Sequence, residues 1–266
     1  MKLAVTGKGG VGKSTVSALL AHALGVSGRR VFAVDADPDS NLAAVMGHPN
    51  PGAIRPLVEL KDLVEERTGA KPGTTGGMFR LNPLVDDIPD KYAVEVHGIK
   101  VLVAGALKKG GAGCYCPENA FLRALTQHLF LAEDAALVMD MEAGVEHLGR
   151  GTVIGVDYLL VVVEPGRRSV ETALRIQQMA GDLGLRRIGV VGNKIRSAAE
   201  EGFLRQALPS LDFVCLLPYD DRVREAEMAG RPVVEASETL RERVQSAVKL
   251  LERAVAQRMS DSYGGL

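Results

Sequence analysis

Gly7-Lys8-Gly9-Gly10-Val11-Gly12-Lys13-Ser14 is the stretch on which the reading of this 266-residue chain turns. It fits the pattern G-x-x-x-x-G-K-[ST] and stands between a strand-like run, residues 2–6, and a helical one, residues 13–24. Glycines let successive backbone N–H groups curl around a phosphate without Cβ clashes, and the new helix turns its positive end to the same group. Lys13 supplies a point charge at the β and γ oxygens of a nucleotide, and the Ser14 hydroxyl a magnesium ligand. The expected phosphate contacts are therefore Gly9, Gly10, Val11, Gly12, Lys13, Ser14 and Thr15, with ATP or ADP and magnesium as cofactors.

Beyond the loop the chain alternates short β-rich runs with helical stretches. The strand-like runs are 2–6, 30–35, 100–104, 136–141, 158–163, 187–192 and 213–217. They are rich in Val, Leu and Ile without strict alternation, as strands covered on both faces should be. Helical patterns fall at 13–24, 117–131, 169–183, 200–207, 221–229 and 238–258. This alternation predicts an α/β fold: a doubly wound, mostly parallel sheet of about seven or eight strands with helices on both faces, a three-layer sandwich. No repeat or linker divides the chain, so residues 1–266 read as one domain. Two segments break the rhythm. Residues 47–92 read as an irregular Gly- and Pro-rich insertion with one helix at about 57–68, and residues 260–266 as a frayed tail.

Composition sets the boundaries of function. Hydrophobic residues are 46% and charged residues 24%, a soluble globular profile. The net charge of −1, with 4% aromatics and no Trp, gives no electrostatic or stacking case for nucleic acid or an anionic membrane. Three cysteines make no disulfide framework, and no run approaches the roughly 18 apolar residues of a membrane span. The N-terminal run has no signal-peptide layout. The expectation is a cytoplasmic protein with neither nucleic acid nor membrane as partner.

Two strand ends carry carboxylates. The apolar run 136–141 places Asp140 where it can hold magnesium through water, the usual Walker B layout. Asp35-Ala36-Asp37-Pro38 closes the second strand: Asp37 is placed to polarise the attacking water, and Asp35 to help order the metal shell. Strand-end aspartates also cap helices, and it is the glycine loop nearby that favours catalysis.

Lys8 is a second lysine in the loop, five residues before Lys13. The string from Lys8 to Thr15 resembles the deviant Walker A of the MinD/ParA/nitrogenase iron protein family. That resemblance implies a nucleotide-gated homodimer in which Lys8 crosses to the partner's nucleotide and acts as an arginine finger does. Asp35 to Asn41 resembles the family's switch I and Asp140 to Glu146 its switch II, although Glu142 stands where many relatives carry proline. Asn193-Lys194 and Leu217-Pro218-Tyr219-Asp220 resemble the adenine positions; an Asn amide can meet adenine N6 and N7 together, or Asn193 is a plain turn residue.

Gly110-Gly111-Ala112-Gly113-Cys114-Tyr115-Cys116-Pro117 is the remaining informative string. Thiols one residue apart form a strained disulfide, and their place before a helix favours thiolates. A redox pair and an inert core pair stay open. One chain offers two sulfurs here, because Cys215 lies in a strand run and reads as a small hydrophobe. A symmetric dimer with both loops on its axis supplies four, which suit Zn(II), Ni(II) or an iron–sulfur cluster. His22, His48, His97, His128 and His147 have no ligand spacing with one another and read as structural.

This string, with residues 138–147, 164–171 and 81–90, resembles the CooC-type nickel-insertion ATPases of carbon monoxide dehydrogenase maturation. The resemblance, and not the spacing, supplies nickel at Cys114 and Cys116 and carbon monoxide dehydrogenase as client. Alternatives are nickel insertion into acetyl-CoA synthase, an iron–sulfur reductase resembling the nitrogenase iron protein, and a MinD- or ParA-like positioning ATPase. The last needs a membrane-targeting tail or a basic surface, and the mixed charges of 238–258 look like neither.

Overall fold

The computed structural model describes all residues except 74–77, 106–115, 133–134, 146–147, 149–152 and 264–266. Among the described residues eight strands form one sheet: β1 (Lys2–Thr6), β2 (Val31–Ala36), β3 (Val94–Val96), β4 (Ile99–Val103), β5 (Ala136–Met141), β6 (Tyr158–Val163), β7 (Ile188–Ile195) and β8 (Asp212–Pro218). Their order is β3-β4-β2-β5-β1-β6-β7-β8, with every neighbouring pair parallel except β3 and β4. The seven expected strands are present, three with the expected bounds and four with an end shifted by one to three residues. The eighth, β3, is a three-residue partner of β4 joined through His97-Gly98, both at positive φ (50° and 75°). Two such residues between paired strands make the tight hairpin turn whose twist matches the flanking strands.

Period-two alternation assigns each strand residue to one of two cores. Leu3 and Val5 of β1, Ala33 of β2, Val138 of β5 and Leu160 and Val162 of β6 face the helix α1 (Lys13–Val26) and the long Glu238–Tyr263 helix. Ala4, Val34, Leu137, Met139, Leu159 and Val161 face the other way, onto the Pro117–Leu131 and Arg167–Asp182 helices. Helices therefore cover both faces, as the continuous apolar strands require.

Two expectations gain detail. Residues 47–92 hold only short elements, yet Leu57, Leu63, Val64, Val85 and Ile88 are buried in the same cluster as Phe121 and Leu125. The helix expected at 57–68 is a 3-10 turn, Leu57–Glu59, followed by a helix Lys61–Thr68, and a further short helix spans Ile88–Tyr92. At the other end, the final helix continues to Tyr263, well into the stretch read as frayed.

Candidate active site

The register of the central strands gathers the charged residues. Val5 pairs with Asp140 across β1 and β5, and Asp140 pairs with Asp35 across β5 and β2. Both aspartates share the strand parity of Val138 and Ala33, so they project to the face occupied by α1, at the carboxyl edge where β1 hands over to the glycine loop. Side chains separated by more than a hundred residues thus meet at the first turn of α1.

Two glycines in the loop have geometric reasons. A Cβ on Gly7 would lie 2.4 Å from the Val162 carbonyl oxygen, and one on Gly12, where φ is 91°, 2.5 Å from the Asn193 amide nitrogen. Gly12 also caps α1 without any side-chain acceptor. The first-turn N–H groups of the helix are left to a phosphate. Lys13 is nearly buried and its ammonium lies 3.3 Å from Asp37 Oδ2. Phosphate oxygens placed in the loop would compete with Asp37 for the same charge.

The two strand-end aspartates differ in a decisive way. Asp35 Oδ1 accepts from the Asp37 N–H (3.1 Å) and Oδ2 from the Leu42 N–H (2.8 Å). Asp35 therefore shapes the turn after β2, and each of its oxygens keeps a second lone pair facing the centre. Burial pushes its carboxyl up to about 6, against the downward pull of those two amides. Asp140 is fully buried, and neither oxygen has a hydrogen bond of acceptable geometry. Burial raises its carboxyl to about 7; the nearby Ser14 hydroxyl and Lys13 draw it down, while Asp35 and Asp37 push it up. A buried carboxylate with two orphaned oxygens beside a hydroxyl is the donor set a hard dication needs, so Asp140 and Ser14 fit magnesium.

A cleft of about 970 Å³ joins this centre to the expected adenine positions: Gly12, Lys13, Ser14 and Asp37 line one end, and Asn193, Lys194, Pro218 and Tyr219 the other. That volume lies in the range of small-molecule sites, roughly 300–1,000 Å³. Asn193 spends one amide hydrogen on the Val11 carbonyl (2.8 Å), and Lys194 donates to the Gly10 carbonyl (2.5 Å). The expected adenine readers are thus also braces of the loop. Tyr219 lies under the Arg196 guanidinium, 3.7 Å from its ring centre, and its hydroxyl bonds Asp221 (2.9 Å). Lys8 is half-buried and has no side-chain partner among the described residues.

Thr6, Glu227 and Glu142 were not found by sequence reasoning. Thr6 bonds the segment after Asp140, Glu227 accepts from Thr15 Oγ1 (3.4 Å), and Glu142 lines the cleft. Only the position of Glu142 in the switch II string offered any local signal. Cys114 and His147 lie outside the described residues. Cys116 is buried and precedes the helix Pro117–Leu131, which leads into β5 after four residues. Lys2 at the start of β1 donates to Leu129 at that helix's far end (3.2 Å). Fifteen helical residues span about 22 Å. Cys116 therefore stands at the carboxyl edge of the sheet, the edge that carries the P-loop. Cys215, half-buried in β8, has its thiol pushed up to about 11 by burial, which suits a packing residue.

A parallel sheet with a glycine cradle, a helix N-terminus, a buried lysine and an orphaned strand-end carboxylate is the equipment of a P-loop ATPase. Residues 2–233 match the family model described as the CobQ/CobB/MinD/ParA nucleotide binding domain. The chain is 44% identical over 256 residues to the carbon monoxide dehydrogenase accessory protein CooC of Rhodospirillum rubrum, covering 95% of this chain and 97% of the relative. It is 42% identical over 236 residues to an uncharacterized ATP-binding protein of Methanocaldococcus jannaschii, covering 88% and 91%. In fold it is similar to the septum site-determining protein MinD of Pyrococcus horikoshii, solved with Mg-ADP, at a TM-score of 0.65 and 19% identity over 94% of this chain and 96% of the other. The chain belongs to the MinD/ParA family of nucleotide-binding ATPases, with CooC among its relatives. Among the described residues no helix is long and apolar enough to cross a membrane.

Proposed function

We propose that this ATPase is a dimerising metallochaperone that takes Ni(II) as cargo between two copies, through Cys114 and Cys116 of each, and assists its insertion into carbon monoxide dehydrogenase. The observation that carries the reading is the likeness to a carbon monoxide dehydrogenase accessory protein over 95% of the chain, in a sequence that holds a C-x-C beside its ATPase edge.

The residues act as follows in this reading. The P-loop amides and Lys13 bind the β and γ phosphates, and nucleotide entry separates Lys13 from Asp37. Asp37 is then available to orient the attacking water. Asp140 and Ser14 hold magnesium, which when bound neutralises charge on the phosphates. Asn193, Lys194, Pro218 and Tyr219 take the adenine end. Lys8 of each copy reaches the nucleotide of the other, so turnover is coupled to dimer closure. Closure brings the two cysteine pairs together, and hydrolysis loosens them near the client.

The test is nickel titration of the protein with and without ATP, monitored by native mass determination, against a Cys114→Ser/Cys116→Ser double variant. One nickel per two chains, absent in the variant, is the expected result. One metal per chain, or binding indifferent to the substitutions, overturns the shared site. Zinc in a parallel arm reports whether the thiolates discriminate.

A further inference from the structure

Thr6 is the last residue of β1, fully buried and immediately before the P-loop. Its hydroxyl reaches across to the segment that follows Asp140: Oγ1 lies 2.8 Å from the Glu142 carbonyl oxygen and 2.9 Å from that of Gly144, and it accepts from the Gly144 N–H at 3.1 Å. A threonine hydroxyl has one proton to give. Two carbonyls two residues apart therefore share a single donor, and only one of them can hold it well at a time.

We infer that Thr6 is a positioning residue for ATP hydrolysis: its hydroxyl ties the segment after Asp140 to the P-loop strand and lets that segment adjust by turning its hydrogen bond from one carbonyl to the other. Three features lead to this assignment. The bonds join residues 136 to 138 positions apart, so they are set by the tertiary fold and belong to no turn or cap. They begin two residues beyond Asp140, so the anchored segment adjoins the carboxylate that fits magnesium. They also start one residue before Gly7, whose α-carbon is packed against the Val162 carbonyl and leaves the strand end no slack. Both carbonyls already lie within hydrogen-bond distance of Oγ1, so rotation of one hydroxyl decides which of them is held, and the anchor stays made while the segment adjusts. Glu142 and Ala143 line the nucleotide cleft, so such a displacement is felt where the γ-phosphate is expected.

The test uses Thr6→Val, which keeps the shape and removes the hydroxyl, beside Thr6→Ser, which keeps the hydroxyl. The readouts are ATP affinity, KM, kcat and hydrogen exchange of the peptide 142–145 with and without a slowly hydrolysed ATP analogue and magnesium. Thr6→Val should bind ATP within about threefold of the parent yet lose about tenfold or more in kcat, the rate equivalent of one hydrogen bond. Thr6→Ser should stay within about threefold of the parent on every count. In the parent protein exchange at 142–145 should change on nucleotide binding, and in Thr6→Val it should be raised and no longer respond. Equal kcat in Thr6→Val and parent overturns the inference. So does a Thr6→Ser as slow as Thr6→Val, which would make the residue a packing element. Should Thr6→Val not fold, the other two arms decide: unresponsive exchange at 142–145 in the parent, or a tenfold slower Thr6→Ser, is fatal to it.

Discussion

Asp35 and Asp140 stand side by side at the ends of β2 and β5, in register, both buried and both raised in pKa, yet the surrounding structure treats them oppositely. The turn after β2 folds back so that the amides of Asp37 and Leu42 occupy both oxygens of Asp35. The segment after β5 runs on to Thr6 and brings no backbone amide to Asp140, whose oxygens have only the Ser14 hydroxyl beside them. A buried acceptor left unmade costs stability, so a fold that keeps one is reserving it for something that arrives later. The comparison separates an aspartate held by the backbone from one that the backbone leaves open.

The largest effect that could break the comparison is on turnover. Asp140→Asn is isosteric and removes the charge facing the metal, so kcat should fall by about 10²–10³-fold, the scale of losing one preorganised electrostatic contact. With chelator and no nucleotide the same variant should be more stable than the parent at pH 8. Steady-state ATPase assays and thermal melts check the two halves. A variant that is both inactive and less stable at pH 8 would mean that Asp140 is a structural residue after all.

Asp35→Ala should do the reverse in proportion. It strands two N–H groups at the turn after β2, each costing roughly 1–3 kcal/mol, so a loss of about 2–4 kcal/mol in urea unfolding is expected. Nucleotide affinity should suffer only through the displaced turn, by about tenfold or less, since the P-loop itself is untouched. Stability unchanged by Asp35→Ala would dissolve the distinction between the neighbours.

The pH dependence sharpens the same contrast. Both acids have folded pKa values, about 6 and about 7, above the unfolded value near 3.8. Between those values the native state binds more protons than the unfolded one, so the stability these two acids contribute is full below about 3.8 and is lost as pH rises through 7. Each unit of elevation is about 1.4 kcal/mol, and Asp140 carries the larger elevation. Urea midpoints in chelator should therefore drop from pH 5 to pH 8, and Asp140→Asn should flatten the drop more than any surface carboxylate variant does. Parallel slopes in parent and variant would show that Asp140 is ionised at low cost.

How much of this was legible beforehand depends on the range of the interactions. The P-loop, the central strands and both aspartates were readable because their signals are contiguous: a glycine pattern, apolar runs, an acid at each run's end. The strand Val94–Val96 escaped because three residues around Glu95 show no run, although His97-Gly98 was a hairpin turn signal. Burial of Leu57, Leu63, Val64, Val85 and Ile88 was hidden by the glycines and prolines between them, which set loop shape and say nothing of which side chains dock. Asp35's satisfied oxygens, Thr6's hydroxyl and the bracing of Val11 and Gly10 by Asn193 and Lys194 all rest on where the backbone passes in three dimensions. No local pattern encodes that. The C-x-C was legible as chemistry, and the helix behind it gives Cys116 its place at the ATPase edge.

The smallest effect concerns the loop's outer wall. Lys194 holds a left-handed backbone, φ 58°, while its ammonium donates to Gly10 O and sits 3.8 Å from Glu164. A non-glycine residue there costs on the order of 1 kcal/mol in backbone strain, and an exposed brace of this kind returns about as much. Lys194→Met keeps the strain and discards the brace, so it should be less stable by about 0.5–1 kcal/mol and raise the KM for ATP a few-fold. Lys194→Gly discards both, and should match the parent in melting temperature within about 2 °C while showing the same KM increase. The pair separates strain from bracing in a way neither variant does alone. If KM is unchanged in both, the lysine's bond to Gly10 does not shape the cradle, and its left-handed backbone has some other cause. If KM rises only in Lys194→Gly, backbone rigidity at the end of β7 is what the nucleotide senses.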